Sequence, residues 1–127
     1  MELFLDFPPD VDTTSTAYLN LPYPYLAELP DARLVMNEMA ANVSADGIMQ
    51  TYFCKDRPRM SPEVCVNAVR VFYRFGGSAD VRIKKSEDWV VDCLRYRACL
   101  YGSRHYSTPE SFLYFVAKLW DECKNTP

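Results

Sequence analysis

Ser61-Pro62-Glu63-Val64-Cys65-Val66-Asn67-Ala68-Val69-Arg70-Val71-Phe72-Tyr73-Arg74-Phe75-Gly76-Gly77 is a helix written with its own punctuation. A serine side chain accepts from the free N–H groups of a first turn, and proline at the first helical position lacks an N–H that would be orphaned there. Glu63 meets the positive end of the helix dipole, and paired glycines stand where the helix must stop. Val64, Cys65, Ala68, Val69 and Phe72 recur at helical spacing and define an inward face. Glu63, Asn67, Arg70 and Arg74 form the opposite stripe, which reads as facing outward.

The same grammar recurs on either side. Pro30-Asp31, Ser86-Glu87-Asp88 and Thr108-Pro109-Glu110 each open a helix-period apolar stretch, and glycine again follows two of the stretches, at Gly47 and Gly102. The expected helices cover 31–43, 62–75, 87–100 and 109–123. Residues 47–60 fit either a short helix or extended chain. The alternation Val81-Arg82-Ile83-Lys84 fits a short strand that has nothing to pair with.

Residues 1–30 read differently. Five of the nine prolines lie there, at Pro8, Pro9, Pro22, Pro24 and Pro30, among Leu3, Phe4, Leu5, Phe7, Leu19, Leu21, Tyr23 and Tyr25. Proline at that density forbids a long helix, and the apolar content argues against a solvated tail. The reading is an extended arm strapped over the body, with Leu3, Phe4 and Phe7 as a candidate linear motif. The whole is an all-α chain: a helical domain over 31–127, a compact bundle of four to six helices, with an extended N-terminal strap over 1–30.

Composition supports one folded domain. Of 127 residues, 49% are hydrophobic and 24% charged, as in folded soluble chains and unlike disordered ones. No stretch approaches the roughly 20 apolar residues that span a bilayer, and Met1-Glu2-Leu3-Phe4 lacks the basic flank of a secretion signal. A cytoplasmic or nuclear setting is expected, with no membrane partner. Cys54, Cys65, Cys93, Cys99 and Cys123 are an odd number without C-x-x-C spacing, so they read as small buried hydrophobes. Cys93, Cys99 and His105 are the best metal candidates, but two residues six apart on a helix point to different faces. Neither a metal nor a cofactor is expected.

Charge is unevenly placed. Residues 1–54 hold one basic residue against eight acidic ones, residues 55–107 hold eleven against six, and the chain's net charge is −3. Arg70 and Arg74 stand one turn apart with no acidic residue at i−4 or i+4 of either, so their counter-charge must come from elsewhere in the chain or from a partner. Folding of the acidic first half on the basic middle is one source. A protein partner is another, engaging Arg70, Arg74, Asn67, Arg95, Arg82, Lys84 and Lys85. Nucleic acid over residues 55–107, with Tyr73, Tyr96, Tyr101 and Tyr106 interleaved, is the third.

Enzymatic readings find little purchase. There is one histidine, His105, and Gly76-Gly77 is not followed by the Gly-Lys-Ser/Thr of a phosphate loop. The sequence-level expectation is therefore not an enzyme. It is a small intracellular protein-interaction module, a regulatory adaptor or viral accessory factor, with self-association also compatible. The alternative is a nucleic-acid-binding factor.

Overall fold

The computed structural model describes residues 10–53, 59–96 and 109–125. Among these, six α-helices pack together and no strand forms: α1 (Val11–Asn20), α2 (Tyr23–Leu26), α3 (Ala32–Ala41), α4 (Pro62–Arg74), α5 (Lys84–Arg95) and α6 (Pro109–Lys124). The all-α class is as the capping grammar predicts.

The first difference is α1. Where the proline-rich arm reads as extended, Asp10 turns the chain into a ten-residue helix, its carboxylate accepting from the Thr13 N–H at 2.6 Å and from the Thr13 hydroxyl at 3.1 Å. The prolines flank this helix and leave its interior free. Its buried face is Val11, Thr14, Ser15, Tyr18 and Leu19, an i, i+3, i+4, i+7, i+8 stripe in which two members are small and polar. The Tyr18 hydroxyl donates to the Pro30 carbonyl at 2.6 Å, and its ring meets the Phe75 edge at 5.8 Å. Leu3, Phe4 and Phe7 lie outside the described residues.

The second difference is α4. Ten of its thirteen residues are buried, Glu63, Asn67 and Arg70 among them, because it is the central helix and not a surface one. Val64, Ala68, Val69, Val71 and Phe72 join Val11, Tyr18, Val35, Met36, Met39 and Ile83 in the larger apolar core. Cys65 and Val66 join Ile48, Val90, Cys93 and Phe112 in the smaller one. The Val11 N–H donates to the Thr51 carbonyl, and the Thr51 N–H to the Arg59 carbonyl, which ties the start of α1 to the chain entering α4. At the far end the Arg74 guanidinium donates to the Leu19 carbonyl at 3.2 Å. Helices α1 and α4 therefore run in the same direction. So does α6, whose Phe112 packs with Cys65 and Val66 near the head of α4, while its Glu122 meets Arg70 and Arg74 near the tail.

The third difference is the start of α5. Ser86 is no cap: it lies inside the helix, fully buried, and its hydroxyl accepts from the Met49 N–H at 2.9 Å. The residues read as a strand, Val81–Ile83, form a 3₁₀ turn capped by Asp80 and run directly into α5. Of the ambiguous 47–60 segment, the described part is extended and pinned by isolated bridges from Met49 to Val43 and from Tyr52 to Asp10. Ser61 occupies the cap position of α4 without a capping bond and instead donates to Glu63 at 3.5 Å. Thr108, Cys54, Cys99 and His105 lie outside the described residues.

Helix α4 ends as its glycines predict. Gly76 adopts φ 84°, and the Gly77 N–H returns to the Phe72 carbonyl at 2.6 Å, the long bond of a Schellman ending. Gly76→Ala places an L-residue in the left-handed region and is expected to lower unfolding free energy by about 1–2 kcal/mol, measured by urea titration. Burial pushes the Cys65 thiol up from 9.0 to about 12. Because the folded state resists its ionisation, the linked stability is intact below pH 9.0 and lost as pH rises toward about 12. Alkaline denaturation of Cys65→Ala should lose that component, and native Cys65 should resist alkylation at pH 8.

Candidate functional site

The parallel run of α1 and α4, closed on one side by α6, leaves a groove of about 660 Å³, within the range of small-molecule sites. Helix α1 contributes Thr16, Leu19 and Asn20; α4 contributes Asn67, Arg70 and Arg74; α6 contributes Tyr114, Phe115, Lys118, Asp121 and Glu122.

Its wall toward the C-terminal end of α4 is an ion-pair lattice. The Arg70 Nε donates to Glu122 at 3.0 Å and its terminal nitrogen to the Asn67 side-chain oxygen at 2.9 Å, with the Arg70 side chain only 8% exposed. Arg74 reaches the same Glu122 oxygen at 3.4 Å with its side chain 43% exposed. The counter-charge for the two arginines is thus a carboxylate from the last helix, not the acidic first half. Lys118 stands 5.4 Å from the centroid of the Tyr114 ring, which turns an aromatic face toward a cation.

Beyond the lining residues, toward the helix heads, Asp12 lies one helical turn before Thr16 on α1 and Glu63 one turn before Asn67 on α4. Asp10 is occupied in capping; Asp12, in the first turn, is half-buried. Glu63 is fully buried. Among the described residues, Glu63 Oε2, the Ser15 hydroxyl and the Thr51 hydroxyl are buried without a hydrogen-bond partner.

The remaining sequence-level site residues do not converge on the groove. Arg82 is held by Asp80 at 2.7 Å and by Asn37 at 2.9 Å. Lys84 pairs with Asp88 at 3.3 Å on the surface of α5, and Lys85 and Arg95 are exposed. Asn67, Arg70 and Arg74 are the ones the structure brings together, and it turns them toward Glu122. Glu63, which reads in the sequence as an outward helix-head acid, is buried, and neither Asp12 nor Glu122 stands among the expected site residues. The signal for Asp12 was available in Asp10-Val11-Asp12-Thr13-Thr14, a capped, acid-bearing first turn hidden among prolines.

Removing either partner of the buried pair strands a charge, so Arg70→Ala and Glu122→Ala should each destabilise by about 3–5 kcal/mol. Arg74→Ala should cost no more than about 1 kcal/mol, since that pair is half in solvent. Thermal and urea denaturation of the three variants checks the order.

Comparison with known proteins places this architecture. The family model described as the sesquiterpene cyclase astC-like C-terminal domain matches residues 2–75, which carry α1 to α4 and both ends of the α4 polar row. The drimenol cyclase drtB of Aspergillus calidoustus is 39% identical over 113 residues, covering 88% of this chain and 20% of the relative. The chain therefore spans about a fifth of the length of the curated relative it matches. No solved structure matches it. These similarities overturn the expectation of a non-enzymatic interaction module, whether regulatory adaptor or viral accessory factor, and with it the nucleic-acid alternative. With more than half of its length matched by that model, the chain belongs to the family of sesquiterpene cyclase astC-like C-terminal domains.

Proposed function

We propose that this chain works as the C-terminal segment of a sesquiterpene cyclase, helping to fold and cyclise a linear C15 isoprenoid. The observation that carries the reading is the family match over residues 2–75, supported by the 39% identity to a drimenol cyclase. The groove offers chemistry of the right kind. Cyclisation of a polyene begins when an alkene is protonated or an anionic leaving group departs, and it proceeds through carbocations that water must not reach. A carboxylic acid held out of bulk solvent serves the first need. Basic side chains at a distance attract an anionic diphosphate, and aromatic faces between them tolerate positive charge.

Asp12 is the candidate proton donor. It is half-buried in the first turn of α1, one helical turn before the groove-lining Thr16, whereas Glu63 is fully buried. Glu63 then serves as a positioning group. Arg74, 43% exposed beyond its contacts with Glu122 and the Leu19 carbonyl, and exposed Lys118 are the cations that an anionic head group would meet at the other end. From the head of α4 at Glu63 to Arg74 the helix axis advances about 16 Å at 1.5 Å per residue, a span matching an extended chain of that size.

The test is a chimera in which this chain replaces the matched stretch of the Aspergillus calidoustus drimenol cyclase, supplied with a linear C15 prenyl diphosphate and assayed for cyclic product. Turnover should be retained. Asp12→Asn should lower kcat by about 10²–10⁴-fold with the helical circular dichroism unchanged, whereas Asp10→Asn should act mainly on stability through the lost cap. A folded chimera without cyclic product, or an Asp12→Asn variant at full activity, would count against the reading.

A further inference from the structure

Among the described residues, helix α6 has an apolar face that its neighbours leave exposed. Phe112, Phe115, Val116 and Leu119 turn inward onto the two cores. On the outward side, Leu113 is 52% exposed and Trp120 64% exposed, with exposed Ala117 between them. These three stand at i, i+4 and i+7, a single stripe. A helix apolar on both faces is one that is covered on both faces. Val91 and Leu94 of α5 are likewise exposed, and both helices lie beyond the stretch matched by the family model.

We infer that the outward stripe of α6, Leu113, Ala117 and Trp120, is the seam at which the rest of a longer cyclase polypeptide docks onto this segment. The inference rests on the cyclase reading above. The occupant follows from length: four-fifths of the curated relative lies outside the stretch this chain matches. A tethered neighbour acts at an effective concentration of about millimolar, far above what a free second copy reaches. A second copy meeting α6 alone would also cover only a strip about 24 Å long and 10 Å wide on each side, below the roughly 800 Å² per partner of a stable interface. A large neighbouring surface can cover the stripe and continue beyond it.

The probe is the Aspergillus calidoustus drimenol cyclase lacking its matched stretch, used once circular dichroism and a cooperative melt show that it is folded, and added in trans to the 127-residue chain. Light scattering after size exclusion should show a one-to-one complex, and Trp120 fluorescence should become protected from an aqueous quencher. The double variant Leu113→Glu/Trp120→Glu should weaken binding at least tenfold. The exposed-site control Val81→Glu should leave it unchanged; matching circular dichroism and Tm certify that both variants fold. Should the double variant's Tm fall, Ala117→Arg alone, at an exposed helical site, replaces it with the same tenfold criterion. No complex, full binding by the double variant, or a homodimer that the double variant dissolves would each overturn the inference. Activity separates it from the cyclase reading. A complex that depends on the stripe but yields no cyclic product refutes the cyclase reading alone. Restored cyclisation that ignores the double substitution refutes the seam alone.

Discussion

An arginine buried on a central helix is a constraint that the rest of the fold must answer. Arg70 keeps its charge under any ordinary condition, and its side chain is 8% exposed, so the molecule must supply a carboxylate in the interior. Glu122 does so from the last helix, and Asn67 accepts the remaining reach of the guanidinium one turn earlier. That single requirement fixes how far α6 slides along α4 and in which direction it runs. With Phe112 seated against Cys65 and Val66 at the other end, α6 has no freedom to shift by a turn. Arg74 adds the third side by reaching from α4 to the Leu19 carbonyl that ends α1. Three helices are thereby held parallel, and the groove between them is a consequence of that registration.

The polarity of the groove follows from the same arrangement. Parallel α1 and α4 bring their heads together, and helix heads attract acids: Asp10 and Asp12 on one, Glu63 on the other. Their tails bring Arg70 and Arg74 together at the opposite end. The heads of α1 and α4 thus carry acids and the groove nearer their tails carries cations, some 10–16 Å apart by helix rise.

How much of this was legible in the sequence depends on the element. The helices from 32 to 41 and from 62 to 74 are legible because the apolar period is clear in both, with Asp31 capping the first and Gly76 and Gly77 closing the second. Helix α1 was not, because prolines on both sides suggested extended chain while Thr14 and Ser15 interrupt the apolar stripe on its buried face. The Ser86 cap was misleading: a buried serine serving a distant backbone N–H leaves the same local pattern as one serving its own helix. Periodicity identifies two faces of α4 but not what each one meets, so a polar row enclosed by α6 looked identical to a solvated one. That Arg70 and Arg74 lack a local counter-charge is legible; its source, about 50 residues downstream at Glu122, has no local signature. The function was illegible for a related reason. Nucleophile triads, metal sites and phosphate loops have spacing rules, whereas a carboxyl made reactive by its surroundings has only surroundings.

The most direct test of the account is the state of Arg70 in solution, since the groove exists only if that side chain is locked inward. Nitrogen-edited NMR of the arginine Nε–H groups reports it residue by residue. Arg70 should give a sharp, shifted Nε–H resonance that exchanges with water far more slowly than that of exposed Arg95, and Glu122→Gln should return it to fast exchange. An Arg70 signal as labile as that of Arg95, indifferent to Glu122, would place the guanidinium in solvent and contradict the parallel three-helix arrangement built on it.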